Sequence, residues 1–160
     1  MLEFPDEIVE RLEKYCHHQG IAIAPGPPGI GLEAMVWITE MDSVIKVHRL
    51  ATTFDAEFAV YQKLAETNTH RLKGFAIPQL LHYDTELLVM ELSFVRPPYI
   101  LDFGAASVSP RPPDFDLDRI ETEFQRQFGR EWPEVRRLLE ALMQIGIYYS
   151  DAHDKNIRLR

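Results

Sequence analysis

Cysteine occurs once, at Cys16, so no internal disulfide framework can hold this chain together, and a lone thiol fits a reducing compartment. Positive charge is short as well: 17 Lys and Arg stand against 25 Asp and Glu, a formal net charge of −8. That balance argues against a nucleic-acid surface or an anionic-membrane dock, both of which need clustered cations; a local basic pocket is still allowed. No apolar run approaches the roughly 20 residues of a membrane-spanning helix. The start, Met1-Leu2-Glu3-Phe4-Pro5-Asp6, is acidic where a signal peptide is basic. These absences predict a soluble, cytoplasmic protein with no nucleic-acid or membrane partner. Enough apolar material is present for a core, 46% of 160 residues, and the length suits one domain or two small lobes.

Periodicity then predicts the elements. Ile8, Val9, Leu12, Tyr15 and Cys16 recur at helical spacing, which places a surface helix over residues 5–19, ended by Gly20. A short strand is expected at 21–24, then a connection rich in glycine and proline, Pro25-Gly26-Pro27-Pro28-Gly29-Ile30-Gly31. Strands at 34–39 and 43–49 follow, joined by a tight turn at Met41-Asp42. Thr52 and Thr53 can cap a helix from Phe54 to about Glu66. Extended segments are expected near 76–83 and 87–95, after a polar loop over 67–74.

Pro97, Pro98, Pro110, Pro112 and Pro113 mark 96–113 as mostly loop, with one strand-like piece, Tyr99-Ile100-Leu101. Ile120, Phe124 and Phe128 predict a helix stopped by Gly129. Pro133 opens another, carrying Val135, Leu138, Leu139, Leu142 and Ile145. Ile147-Tyr148-Tyr149 and Ile157-Arg158-Leu159 read as short strands around a polar loop. The chain thus divides near residue 92, with a strand-rich half over 1–92 and a helix-rich half over 93–160.

Two groups of residues suggest chemistry. Strand alternation sets Val44, Lys46 and His48 on one face and Ile45 and Val47 on the other. An inner-strand lysine is costly unless its ammonium meets an anion, and Glu57, on the apolar stripe of the next helix, is the natural partner. A snorkelling edge lysine and a first-turn glutamate remain the plain alternative. The second group is the loop Asp151-Ala152-His153-Asp154-Lys155-Asn156. An aspartate can orient or deprotonate a hydroxyl, and an asparagine five residues on can ligate a magnesium ion, although such a polar turn is also ordinary loop chemistry.

In this order the segments resemble the protein-kinase-like superfamily, especially its small-molecule and atypical bacterial branches, over roughly residues 21–160. The resemblance implies an α+β kinase-like fold: a small antiparallel sheet lobe with one internal helix, plus a shortened helical lobe. By it, Lys46 contacts the phosphates of ATP and is held by Glu57, Val44 offers apolar surface to the adenine, and Leu88-Val89-Met90-Glu91-Leu92 is the hinge strand. Asp151 is then the catalytic base and Asn156 a Mg²⁺ ligand.

The chain departs from the family in several places. Asp102-Phe103-Gly104 stands ahead of the catalytic-type loop instead of after it. Either the triplet is a chance occurrence in a proline-rich connector, or the segment order is rearranged. In the second case the strand before Asp102 pairs with the one containing Ile157, and Asp102 serves the metal. Gly26, Gly29 and Gly31 carry the family's glycine spacing reversed, and Pro27 and Pro28 lack the N–H groups that cradle phosphate. Tyr149 and Ser150 stand where the catalytic loop usually has histidine and arginine or glycine.

The expected function is Mg-dependent, ATP-dependent phosphoryl transfer to a small hydroxyl-bearing substrate or to the protein itself. The alternative is an inert kinase-like module that binds a partner or nucleotide. A second copy of the chain could complete the short lobe.

Overall fold

The computed structural model describes residues 5–96, 100–104, 106–108, 116–149, 152–154 and 156–159. In chain order these form α1 (Asp6–Gln19), β1 (Gly29–Ile30), β2 (Ala34–Ile38), β3 (Ser43–His48), α2 (Ala51–Glu66), β4 (Arg71–Leu72), β5 (Phe75–Ala76) and β6 (Leu80–Asp84). Then follow β7 (Val89–Ser93), β8 (Ile100–Leu101), β9 (Ala106–Val108), α3 (Leu117–Phe128), α4 (Trp132–Gln144), β10 (Ile147–Tyr149) and β11 (Ile157–Arg158). The chain is a mixed α+β protein. None of its helices, among the described residues, is long and apolar enough to cross a membrane.

Its two compact units interleave in sequence. One comprises Met1–Asp55 and Gln79–Phe94, the other Ala56–Pro78 and Val95–Arg160. The expected division near residue 92 is a single crossing, whereas the chain passes between these units three times, after Asp55, Pro78 and Phe94. It overlooks the return of residues 56–78 to the second unit, which no local pattern announces.

The first unit is an antiparallel five-stranded sheet, ordered β1-β2-β3-β7-β6, with α1 on one face. Helix α1 forms where expected: Asp6 and Glu7 sit in its first turn, and Gly20 ends it in the left-handed region at φ 65°. Its stripe of Ile8, Leu12 and Tyr15 packs on Met35, Trp37, Ile45, Val47 and Val89, all buried. By the pleat, Val44, Lys46 and His48 face the other way, as alternation predicts.

Residues 21–24 form no strand of their own; Ile23 makes a single antiparallel bridge to Thr39, and Gly29–Ile30 pairs with the same neighbour, β2. The register steps between these pairings, and 25–28 fill the step. The hairpin turns later, at Leu32-Glu33, where the Gly31 N–H donates to the Ala34 carbonyl at 2.9 Å.

Helix α2 starts earlier than expected. Thr52 and Thr53 lie inside it, and the Thr53 hydroxyl bonds back to the Leu50 carbonyl at 3.0 Å. The polar loop expected over 67–74 contains half of a small hairpin, β4–β5, whose turn sets Lys73 at φ 49° and Gly74 at φ 87°. Two consecutive positive φ values suit a two-residue hairpin turn.

In the second unit, α3 starts at an Asp116 side chain that accepts from Asp118 N–H, and Gly129 ends it. Pro133 sits in the first turn of α4. Val135, Leu138, Leu139 and Leu142 are essentially inaccessible, and Phe124, Phe128 and Trp132 form an aromatic cluster. Arg136 gathers Asp118 at 2.9 Å, Glu121 at 2.6 Å and Glu140 at 2.9 Å. Only the fold of α3 against α4 could reveal two of those partners.

Leu138→Ala removes a fully buried side chain from α4. We expect it to cost about 2–5 kcal/mol, seen as a lower urea midpoint with the helical circular dichroism of the folded baseline retained.

Candidate functional site

The first unit presents a row of side chains on the sheet face opposite α1. In the ladders, Lys46 lies between Val36 on β2 and Met90 on β7, and Val44 lies between Ile38 and Leu92. The lysine stem is thus flanked by apolar neighbours on both strands, and Lys46 is only 7% exposed. His48 continues the row; its ring meets Phe54 edge-on, with centroids 5.5 Å apart. An ammonium embedded this way favours a site that supplies an anion.

The expected hinge needs correction. Glu91 and Leu92 are interior to β7, which is paired on both sides: Glu91 with Ile45 and His82, Leu92 with Val44 and Leu80. Their backbone groups serve the sheet, so they are not free to hold an adenine. The Glu91 side chain is committed too. It is buried, and it accepts hydrogen bonds from the Tyr15 hydroxyl at 3.1 Å and the Ser43 hydroxyl at 2.7 Å.

The hairpin turn reveals a pattern missed in the sequence. With the turn at Leu32-Glu33, the flanking residues read Gly29-Ile30-Gly31-Leu32-Glu33-Ala34, which is Gly-x-Gly-x-x-small. This is close to the spacing of a loop that covers phosphates. A Cβ on Gly31 would meet the Ala34 carbonyl oxygen at 3.1 Å, so glycine allows the close approach there. The spacing is present in the sequence; which glycines flank the turn depends on the β1–β2 pairing.

The second unit brings Asp102 and Asn156 together. Strand β8 pairs antiparallel with β11, Leu101 opposite Ile157, and the Asp102 N–H donates to the Asn156 carbonyl at 2.7 Å. Strand β9, absent from the sequence-based expectation, pairs with β10, Ala106 opposite Tyr149. The Asp-Phe-Gly turn therefore sits between two strands whose partners bracket residues 150–156. The pairing expected between the strand before Asp102 and the one containing Ile157 is present.

Within the turn, Asp102 Oδ1 accepts from the Gly104 N–H at 3.0 Å while the residue stays exposed. Phe103 points the other way and is fully buried, its ring 5.5 Å from Tyr61 and 5.7 Å from Tyr149. The Tyr149 hydroxyl donates to the Asp102 carbonyl at 2.7 Å and so ties the turn to β10. Asn156 is 6% exposed, and its Oδ1 accepts from the His153 N–H at 2.8 Å. Asp151, the expected base, lies outside the described residues, as do Ser150 and Lys155.

The donor set fits a magnesium ion. An exposed carboxylate and an amide oxygen with a second lone pair are hard oxygen donors, and Mg²⁺ customarily completes its shell with water and phosphate. Glu57 falls in this unit by its place in the chain, and it is 1% exposed. Burial, followed by the negative charges of Glu57 and Asp102, holds the Tyr61 phenol well above its ordinary value; burial, then Asp102 and Glu57, does the same to Tyr149.

These two phenols predict alkaline instability. Above their ordinary value of 10.0 the unfolded chain releases protons that the folded chain retains, so stability is full below that pH and falls above it. Urea titrations at about pH 9 and about pH 11 should show the decline, and Tyr149→Phe should make it shallower.

Comparison with family models, with curated proteins and with solved structures finds no match for this chain.

Proposed function

We propose that the protein is a kinase-like, Mg-dependent ATP-binding phosphotransferase acting on a small hydroxyl-bearing substrate or on itself. The observation that carries this reading is the β8–β11 ladder, which sets Asp102 of an Asp-Phe-Gly turn beside Asn156 at the end of an Asp-x-x-x-x-Asn loop. Two loops distant in sequence converge on an acid and an amide, the pair that phosphoryl transfer uses to hold its metal.

In this reading Asp102 and Asn156 hold Mg²⁺, which would supply charge neutralisation for the phosphates. Lys46 is the phosphate-binding cation of the first unit, and Val44 and Leu92, next in its row, give an apolar bed for a base. The turn Gly29–Ala34 offers backbone to phosphate. Asp151 orients or deprotonates the acceptor hydroxyl. Phosphoryl transfer rests mainly on positioning and electrostatics, so this small set suffices.

A second reading, an inert nucleotide- or partner-binding module, draws support from one feature. Glu91 and Leu92 give their backbone to the sheet on both sides, so adenine recognition has to come from elsewhere.

Thermal unfolding with ATP, with and without Mg²⁺, tests both readings. Saturation at about 100 times the dissociation constant stabilises a protein by about 2.7 kcal/mol, a rise of several degrees for a chain of this size. Lys46→Met should abolish the rise, and Asp102→Asn should remove its dependence on Mg²⁺. Asp151→Asn should preserve the rise while ending ADP release. No rise at millimolar ATP in the native protein would sink the nucleotide reading; a rise without ADP release would identify the inert module.

A further inference from the structure

Strand β7 carries the sequence Val89-Met90-Glu91-Leu92-Ser93, preceded by Leu88. Except at Glu91, both faces of its core stretch are apolar, so hydrophobic patterning barely distinguishes its register from one shifted by a single residue. A one-residue shift would also change which residues stand opposite the two buried charged side chains of these strands. In the observed register Glu91 stands opposite Ile45 and Met90 opposite Lys46; moving β7 by one residue would set the Glu91 carboxylate opposite the Lys46 ammonium.

Two observations show what holds the observed register. Glu91 is buried on the face covered by α1, where the hydroxyls of Tyr15 and Ser43 each donate to one of its carboxylate oxygens. Ser43 is itself oriented by Thr39, the two hydroxyls being 2.7 Å apart. At the start of the strand, Leu88 is held in the left-handed region at φ 55°, a conformation that leucine seldom adopts. Arg11 of α1 reaches the adjoining turn, donating to the Leu87 carbonyl at 3.2 Å, while Asp84 Oδ1 accepts from the Glu86 and Leu87 N–H groups at 2.9 Å. Local strain and a buried carboxylate are both tolerated in one register, and helix α1 touches both.

We propose that Tyr15 and Ser43 are positioning residues: by capturing Glu91 on the helix-covered face they fix β7 against β3, and so determine that Met90 and Leu92 stand beside Lys46 and Val44. The register claim stands on these contacts alone. Its consequence, that α1 governs nucleotide affinity from the opposite face of the sheet, rests on the phosphotransferase reading above.

Nuclear magnetic resonance of the whole chain reads the register directly. The His48 N–H donates to the Leu88 carbonyl at 2.9 Å, which marks a hydrogen-bonded pair. Close Hα–Hα contacts are therefore expected at Ile45/Glu91 and Val47/Val89. Glu91→Leu should fold with an unfolding temperature at or above that of the native protein. It should also show a second set of contacts, Ile45 to Leu92 and Val47 to Met90, at a tenth or more of the first set's intensity, with a smaller ATP-induced rise in unfolding temperature.

Tyr15→Phe combined with Ser43→Ala should give the same second set. If that variant fails to fold, Glu91→Leu decides alone. Native contacts only in Glu91→Leu would overturn the proposal. A second set in a protein whose native form shows no ATP response supports the register pin and removes only the link to nucleotide.

Discussion

The backbone hydrogen bond between Asp102 and Asn156 is the contact on which the functional reading depends. It belongs to a ladder of only two residue pairs, and β9–β10 adds three more. Ladders this short do not persist on their own. They are held by what lies behind them: Leu101, Phe103, Ala106, Tyr149 and Ile157 are all buried, and the Phe103 ring is gripped by Tyr61 and Tyr149. The same strand exit that buries Phe103 leaves Asp102 exposed. Hydrophobic burial thus orients a carboxylate that it does not touch.

The first unit solves a different problem. Its sheet carries buried charge toward both faces, Lys46 on one and Glu91 on the other, in adjacent strands one residue out of step. Replacing such charges with apolar residues commonly stabilises a protein, so their retention points to specificity over stability. For Glu91 the specificity is structural, because its two hydroxyl donors define a face.

Much of the local structure was legible in the chain. The stripe of Ile8, Leu12 and Tyr15, the stops at Gly20 and Gly129, Pro133 at the start of α4, and the alternation through Val44, Lys46 and His48 all follow from short-range rules. The errors have two causes. Thr52 and Thr53 look like caps, yet α2 runs through them; residues 67–74 look like a polar loop, yet 71–72 within it pair with 75–76; β9 has too little pattern to be noticed until Tyr149 lies opposite it. For β9 the deciding partner lay about 40 residues away in the chain; the other two turned on short-range pairing that the residue types did not signal.

What the sequence determined by itself was the inventory: which residues could form helices, which face of β3 bears Lys46, and that an acid–amide loop and an Asp-Phe-Gly turn coexist in one chain. Tertiary structure decided the pairing, setting β8 beside β11 and β9 beside β10, assigning residues 56–78 to the second unit, and sending Glu91 toward Tyr15 and Ser43. The reason is physical. Periodicity encodes which side of an element is buried, whereas the choice of neighbour and register depends on contacts between distant segments, which no local spacing records.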